Sequence, residues 1–287
     1  MRHSKVAFYG FIAPCFIAFT VTVIIPFIFG IYYSFTDWNG IKSDVSLIGF
    51  SNYAEIFNDK DFGSSFLFTF LFAVASVLLI NIIGFSLAII VTRKFKSQNV
   101  LRTIFFMPNL IGGLILGFIW QFIFVKVFNM IGDATGAKWL LGWLSTTETG
   151  FWGLVILMCW QMSGYIMIIY IAALQNIPTE LIEASKIDGA NFKNRMKHII
   201  FPLIRPGFTV CLFLTLSNAF KLYDQNLSLT GGAPRNSTQM LALNIYNTAF
   251  KFNKMGQAQA KAIIFFIVIA LISLIQVYFS KKGEVEM

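Results

Sequence analysis

Long apolar runs separated by short polar segments make up most of this chain of 287 residues. The hydrocarbon core of a bilayer is about 30 Å thick, so a helix needs roughly 20 apolar residues to cross it. Six runs reach that length, at about 6–36, 64–92, 100–126, 150–175, 206–228 and 258–280. Because the connections leave no room for a separate soluble domain, the pattern predicts an all-α polytopic membrane protein with six transmembrane helices in a single domain, residues 1–287.

Composition supports this class and excludes another. The chain is 57% hydrophobic and 12% charged, whereas soluble domains usually carry about 25% charged residues. The net charge is +9, but the basic residues lie mostly in short loops rather than on one exposed face. Membrane lipid is therefore a predicted partner and nucleic acid is not.

The positions of Lys and Arg predict the orientation of the chain. Basic residues cluster before the first span, around the second connection, in the fourth connection and after the last span: Arg2, Lys5, Arg93, Lys94, Lys96, Arg102, Lys186, Lys193, Arg195, Lys197, Arg205, Lys281 and Lys282. By the positive-inside rule, these segments and both termini are predicted to be cytoplasmic. The connection before the sixth span departs from the pattern, since it carries Arg235, Lys251, Lys254 and Lys261.

Motifs for catalysis or nucleotide binding are absent from the sequence. No GxSxG, HExxH or GxxxxGK[ST] pattern occurs, so the sequence predicts neither an enzyme nor an ATP-binding P-loop. The three cysteines, Cys15, Cys159 and Cys211, lie far apart inside predicted spans, and the two histidines, His3 and His198, lie outside the spans. No catalytic residue, metal site or cofactor of this chain is therefore predicted. An ATP-driven role would require ATP and Mg²⁺ on another subunit.

An ion channel and an ion-coupled secondary transporter are two other classes of transport protein, and each requires residues that can be sought in the sequence. An ion channel needs a ring of carbonyls or charges, and neither a TVGYG-like loop nor a charged stripe occurs. An ion-coupled secondary transporter usually has ionisable residues in its spans and two related halves, whereas these spans are almost uncharged and show no repeat. The secondary transporter remains an alternative. Because the spans are almost uncharged, the residues that couple transport to an energy source are expected in a loop.

One polar segment lies between the fourth and fifth runs, and residues 183–206 of it read EASKIDGANFKNRMKHIIFPLIRP. Thr179 is a predicted N-cap, with Glu180 and Glu183 in the first turn, where the helix dipole favours acidic residues. Gly189 is predicted to end this helix with a positive φ. The result is a short helix with a small-residue surface at Ala184 and Ser185.

A second helix is predicted from Asn191 to Ile200, followed by a stiff return to the membrane at Pro202 and Pro206. Two interpretations remain open from the residues alone. The segment is either a solvated basic loop that holds the topology or a compact helix that docks into a groove on a partner.

The same residues resemble a known family. Glu183-Ala184-Ser185, Asp188-Gly189-Ala190, Pro202-Leu203 and Pro206 resemble the EAA loop of bacterial ABC importer permeases, with Ser185 in place of the usual alanine. Further stretches look like sugar-importer permeases of the maltose, glycerol-phosphate and multiple-sugar type, above all the F-type subunit without its extra N-terminal helices and large periplasmic insertion: Pro26, Ser34–Trp38, Gly49–Tyr53, Leu101-Arg102, Pro108, Trp120, Leu229–Pro234, Tyr246, Phe250, Gly256, Ala258 and Ala260.

The resemblance implies a type I ABC importer permease in a bacterial plasma membrane. Residues 179–206 would then be a cytoplasmic coupling loop that contacts an ATPase through Glu183, Ala184, Ser185, Asp188, Gly189, Ala190 and Pro202. Implied partners are a second homologous permease, two ATPase copies and an extracellular sugar-binding protein. A permease for a non-sugar solute is the alternative within the same family.

Candidates for substrate contact follow from alignment with the maltose permease. Counting back from the EAA loop and from the Gly231-Gly232 turn matches Gln161, Met162, Tyr165, Asn218, Ala219 and Leu222 to sugar-contacting positions. Amides suit sugar hydroxyls and aromatic faces suit apolar ring faces. Gln161 and Tyr165, four residues apart, are expected to share a helix face. Helix packing is the alternative role for each residue, and Trp160, Tyr223 and Asp224 are weaker candidates.

Overall fold

A computed structural model describes residues 2–42, 44–92 and 97–282, and for residues 2–7 it describes the backbone alone. The regular structure of these residues is helical apart from one isolated antiparallel bridge between Thr36 and Leu47. The all-α prediction is therefore confirmed. Arg93, Lys94 and Lys96, which contributed to the predicted orientation, lie outside the described residues.

Fifteen α-helices occur in the described part of the chain. They are α1 (Arg2–Phe19), α2 (Ile25–Ser34), α3 (Ser51–Asn58), α4 (Lys60–Thr92), α5 (Gln98–Phe106), α6 (Gly113–Phe122), α7 (Phe128–Thr135), α8 (Thr147–Gln175), α9 (Thr179–Ile187), α10 (Phe192–Arg195), α11 (Phe201–Leu203), α12 (Arg205–Phe220), α13 (Asp224–Leu229), α14 (Leu241–Tyr246) and α15 (Met255–Lys281). Turns of π-helix occupy Thr20–Ile24, Ile123–Val127, Met196–Ile200 and Asn247–Lys251, and 3₁₀ turns occupy Met107–Leu110 and Lys138–Leu140.

Within the described ranges, five helical segments are long and apolar enough to cross a membrane. They are Phe8–Ser34, Lys60–Thr92, Gly113–Thr135, Thr147–Gln175 and Met255–Lys281. A sixth span forms if the pair Phe192–Leu203 and Arg205–Phe220, which is bent by 70° at its break, is counted as one. The structure thus supports six spans with that pair included.

The third span lies later in the chain than the predicted 100–126. Helix α5 ends before a 3₁₀ turn at Met107–Leu110, and the spanning helix is Gly113–Thr135. Pro108 has no backbone N–H and its ring crowds the preceding turn, so an α-helix does not continue through it. The apolar run therefore divides into two helices.

The predicted fifth run, 206–228, is not one continuous helix. Helix α12 ends at Phe220, and α13 begins only at Asp224. Before α12, the chain bends at Ile204, next to the proline that lies in the first turn of α12. Proline fits a first helical turn, where its absent N–H would have no partner in any case.

The chain forms two compact units, Met1–Lys60 with Asn244–Ile267 and Asp61–Leu243 with Val268–Met287. In the first unit, Asn52 is buried and its Nδ2 donates hydrogen bonds to the carbonyl oxygens of Ser34 and Thr36, each at 2.8 Å. A Cβ at Gly256 would collide with the Thr36 carbonyl, and the Gly256 N–H donates to the carbonyl of Trp38 at 2.8 Å. This close approach requires glycine. The predicted single domain stays a prediction.

A buried lysine explains part of the exception to the positive-inside pattern. Lys261 is 2% exposed, and its Nζ lies 2.8 Å from Oδ2 of Asp59. The same Nζ donates to Asn244 Oδ1 and Thr248 Oγ1, each at 2.9 Å. Three acceptors match the three ammonium protons, and a buried charge needs such compensation. The charge of Lys261 is therefore neutralised inside the first unit.

In the second unit, a chain of buried polar side chains links α4, α8 and α12. The Tyr170 hydroxyl donates to Asn81 Oδ1 at 2.7 Å, and Asn81 Nδ2 donates to Thr215 Oγ1 at 3.0 Å. All three side chains are buried. Hydrogen bonds between membrane helices contribute roughly 0.6–2 kcal/mol each, so they add register to the packing.

Small residues let the helices of this unit approach closely. A Cβ at Gly84 on α4 would lie 2.9 Å from Cγ2 of Ile166 on α8. A Cβ at Gly164 on α8 would collide with the carbonyl oxygen of Phe105 on α5. Van der Waals contact of this kind is a principal source of helix association in lipid.

We expect Gly164→Val to destabilise the packing of α5 on α8. The new side chain would meet a backbone atom that cannot rotate away, so the free energy of unfolding should fall by at least the roughly 1–3 kcal/mol typical of overpacking. The measurement is the thermal unfolding midpoint in detergent. Gly63→Val is the control, because Gly63 is also helical and has nothing within 4 Å of its Cβ. Equal midpoints for the two variants would contradict the prediction.

Candidate functional site

The polar segment between α8 and the bent pair folds as a separate short helix, α9, from Thr179 to Ile187. Its N-cap is Pro178, without a side-chain hydrogen bond, so the predicted capping role of Thr179 is wrong. Proline has a fixed φ and lacks an N–H, and it shifts the first helical residue to Thr179. Glu180 lies in the first turn, where the helix dipole favours it, whereas Glu183 lies outside that turn.

The other end of α9 is a Schellman motif. Gly189 has φ of +75°, as predicted, and its N–H donates to the Lys186 carbonyl at 3.1 Å. The Ala190 N–H donates to the Ser185 carbonyl at 2.9 Å. Both bonds satisfy carbonyls that the end of a helix would leave without partners. The left-handed conformation at this position favours glycine over any residue with a Cβ.

The outer surface of α9 differs from the predicted small-residue patch. Ser185 is buried, and its hydroxyl donates to the Ile182 carbonyl at 2.7 Å. Ala184 is exposed, so only one of the two small residues is presented outward. The main apolar groups on the surface are Leu181, 45% exposed, and Ile187, 87% exposed. Glu183, Asp188 and Gly189 are exposed beside them and Ala190 is half-buried.

Hydrogen bonds fasten the turn to the next helix. The Asn191 side chain caps α10 by accepting from the Asn194 N–H at 2.9 Å. Arg195 Nη1 donates to the Ala190 carbonyl at 2.6 Å. The predicted second helix, 191–200, thus forms and continues through a π-turn into α11, where Pro202 is half-buried. Hydrogen bonds therefore hold α9, the turn after it and α10 in one fixed arrangement.

The α8 candidates differ in accessibility. Gln161 is buried, its Oε1 accepts from Gln225 Nε2 at 2.8 Å, and its Nε2 donates to the Ile111 carbonyl at 3.3 Å. Met162 is also buried, and Tyr165 is half-buried. The side-chain amide of Gln161 thus forms its hydrogen bonds within the chain, whereas part of the Tyr165 side chain stays accessible.

The α12 candidates show the same division. Asn218 is exposed, and its Nδ2 donates to the Leu214 carbonyl at 2.8 Å. Ala219 is buried, and so is Leu222, which lies just after the end of α12. Helix α12 packs against α8, so the two candidate groups lie on neighbouring helices. Of the weaker candidates, Trp160 packs edge-on against Trp120 and Asp224 is the exposed first residue of α13.

Two residues that organise this region were not predicted. Gln225 is the partner of Gln161, as above. Asn226 is fully buried and holds the loop after α13, because its Nδ2 donates to the Thr238 carbonyl at 2.9 Å and its Oδ1 accepts from the Met240 N–H at 2.9 Å. The sequence around Asn226 gives no indication of this role, since the bonds reach Thr238 and Met240, which lie 12 and 14 residues further along the chain.

A metal site requires several His, Cys, Asp or Glu side chains that converge on one point. Among residues 2–42, 44–92 and 97–282, no group of three or more His, Cys, Asp or Glu residues lies close enough together to hold a metal ion.

Comparison with known proteins identifies the family. The sequence pattern of the family described as "Binding-protein-dependent transport system inner membrane component" matches residues 80–284. A protein of Thermoanaerobacterium thermosulfurigenes, "Probable starch degradation products transport system permease protein AmyD", is 61% identical over 277 residues, or 96% of this chain and 94% of that protein. "Multiple sugar-binding transport system permease protein MsmF" of Streptococcus mutans is 33% identical over 261 residues, covering 91% and 90% of the two chains.

Solved structures agree on the fold. A chain of a bacterial ABC transporter "involved in the import of the acidic polysaccharide alginate" superposes with a TM-score of 0.83 at 20% identity, covering 98% of this chain and 96% of that one. A chain of an amino acid ABC transporter gives a TM-score of 0.55 at 14% identity, covering 81% and 98%. The predicted type I ABC importer permease fold is thereby confirmed. This chain belongs to the family of binding-protein-dependent transport system inner membrane components.

Proposed function

We propose that this chain is a transmembrane permease subunit of an ATP-driven importer of oligosaccharides. It forms half of the translocation path, and a second homologous permease forms the other half. Sugar as the substrate class is supported by the two relatives whose names refer to starch degradation products and to multiple sugars. The chain itself is non-catalytic in this proposal, and ATP and Mg²⁺ bind to the partner ATPase.

The observation that carries the proposal is the geometry of α9. A short helix with exposed Leu181 and Ile187, flanked by carboxylates at Glu183 and Asp188, has the form of a helix that fits an apolar groove with a polar rim. Two ATPase subunits, one for each permease, would hold two such helices. In this proposal, the Schellman turn and the Arg195 bond make α9 and the following helix move together.

Force would reach the membrane through the chain that follows α9. Closure of the ATPases on ATP would draw the two coupling helices together. The segment Phe192–Leu203 connects α9 to α12, so movement of α9 would turn α12 and change which side of the path is open. The basic residues favour an arrangement in which α9 and both termini are cytoplasmic, in a bacterial plasma membrane.

An extracellular sugar-binding protein would deliver the substrate to the other side. Support comes from the solved alginate transporter, described "in complex with alginate pentasaccharide-bound periplasmic protein". The loop held by Asn226, which includes the Gly231-Gly232 turn, is the surface we propose for that contact. Its internal hydrogen bonds preorganise it, which lowers the entropy lost on binding.

Tyr165 and Asn218 are the proposed direct contacts with sugar, because both keep accessible surface. The buried Gln161 would position its neighbours through Gln225, and the buried Met162, Ala219 and Leu222 would shape the wall: these four complete the candidate set. An aromatic face for the sugar ring and an amide for its hydroxyls is the expected chemistry.

Gly189→Asp should abolish uptake of radiolabelled maltotriose and sugar-stimulated ATP hydrolysis by the assembled importer, while the chain still inserts into membranes. Aspartate strains the left-handed turn and adds a charge at the docking surface. Glu183→Lys should act alike through reversed charge. Gly136→Asp is the matched control, since Gly136 also ends a helix, has φ of +72° and has open space around its Cβ. Normal transport by the Gly189 variant, or equal loss in the control, would contradict the docking role.

Tyr165→Ala should raise the maltotriose concentration for half-maximal transport roughly threefold to tenfold, the size expected for one aromatic contact. Stimulation of the ATPase at saturating sugar should survive. Tyr278→Ala, which removes a tyrosine that is 67% exposed on α15, should leave the concentration unchanged. Vesicles containing the full importer provide the measurement, and an unaltered value for Tyr165→Ala would remove this residue from the path.

The alternatives predict different results. A permease for a non-sugar solute would fail to purify with a sugar-binding protein and would give no maltotriose uptake, yet would still respond to the Gly189 change. A proton-coupled carrier would transport when this chain is expressed alone with a proton gradient and without ATP. Failure of the sugar assignment and failure of the coupling assignment are thus separable.

A further inference from the structure

Arg102 on α5 has an unusual environment. Its Nε and Nη2 atoms are buried and have no hydrogen-bond partner among the residues that the structure describes. A guanidinium group stays protonated, and a buried charge without compensation is strongly unfavourable. The residue as a whole is half-buried, and buried donors without a partner call for an explanation such as a bound group. The acceptor is therefore expected from outside the described chain.

An apolar cavity lies one helical turn away on the same helix. Phe105, three residues after Arg102 and hence on a neighbouring part of its face, lines a cavity of about 560 Å³. The walls come from α4, from α5 with the turn after it, and from α8, and include Ile83, Leu87, Met107 and Trp160. This size is in the range of small-molecule sites.

The rim and the interior of the cavity indicate what would fill it. Ile104, Met107 and Trp160 line it and are 49%, 54% and 44% exposed, so its mouth is apolar, as expected of a surface in contact with lipid tails. Ser163 also lines it, is buried, and has a hydroxyl without a partner in the described part of the chain. An ester oxygen could accept a hydrogen bond from that hydroxyl.

We propose that Arg102 and this cavity form a binding site for one anionic phospholipid, with the phosphate on the guanidinium and an acyl chain in the cavity. Arginine pairs with phosphate through charge-assisted hydrogen bonds. Free phosphate would satisfy only the arginine, and an apolar molecule would fill only the cavity. A phospholipid satisfies both, and basic pockets between membrane helices on the cytoplasmic side are known sites for anionic headgroups.

The test uses the full chain in phosphatidylcholine nanodiscs. Increasing mole fractions of a lipid with brominated acyl chains, either phosphatidylglycerol or phosphatidylcholine, are added. Bromine quenches nearby indoles, and comparison with Trp160→Phe isolates the signal of Trp160 among the six tryptophans. Brominated phosphatidylglycerol should quench Trp160 at a lower mole fraction than brominated phosphatidylcholine. Arg102→Gln should raise the half-quenching mole fraction of phosphatidylglycerol about tenfold, the effect of losing a charge-assisted bond.

Lys281→Gln is the matched control, because it removes a basic side chain that is exposed at the end of α15. It should leave quenching as in the unaltered chain. Ser163→Leu keeps the arginine but fills the cavity, so it should lower the maximal quenching of Trp160. Arg102→Lys retains the charge and should keep the preference for phosphatidylglycerol, and these two variants carry the test if Arg102→Gln does not fold.

Four results would overturn the proposal. The two brominated lipids could quench Trp160 equally in the unaltered chain. Arg102→Gln, once folded, could show the same half-quenching mole fraction, or Lys281→Gln could lose as much as it does. Finally, Arg102 could affect stability only after the partner subunits are added, in which case a partner carboxylate is its acceptor.

Discussion

Every spanning segment of this protein depends on one constraint, which is that backbone N–H and C=O groups in the hydrocarbon core must be satisfied within the protein. Helices meet this requirement locally, so the apolar runs become helices. At Pro108, which lacks a donor, α5 gives way to a 3₁₀ turn and the next α-helix starts after Gly112, whereas α1 continues through Pro14. The bend beside Ile204 also lies next to a proline, because Pro206 occupies the first turn of α12, where its missing N–H leaves no bond unmade. Thus the pattern of breaks follows from backbone chemistry.

Once the helices exist, lipid offers them little hydrophobic reason to associate, since the tails are as apolar as the side chains. Close backbone contact and polar bonds supply the difference. Gly164 allows close backbone contact, because it leaves room for the carbonyl of Phe105 where any side chain would collide. Polar bonds between helices form where Asn81 accepts from Tyr170 and donates to Thr215. Lys261 shows that a full charge is compatible with such packing when its three protons find acceptors.

The polar helix α9 obeys different rules because it lies between spans. Its ends are set by Pro178 and by the left-handed turn at Gly189 rather than by lipid. Bonds from the turn to Ser185 and Lys186, and from Arg195 to the turn, make it a compact unit. A compact helix with exposed Leu181 and Ile187 loses little conformational entropy on docking, which suits the coupling role proposed for it.

The sequence by itself determined the membrane class, the all-α fold, the number of spans with the bent pair included, and the glycine turn after α9, because hydropathy and glycine conformations are local properties. It also placed the EAA-like residues in one short segment. It did not predict the break at Pro108, since a long apolar run hides one proline, or the inward orientation of Ser185. The bonds of Gln161 to Gln225 and of Asn226 to Thr238, and the lack of a partner for two nitrogens of Arg102, were decided only by tertiary structure. They join residues distant along the chain, or depend on what surrounds a side chain, and such contacts leave no periodic signal in a sequence.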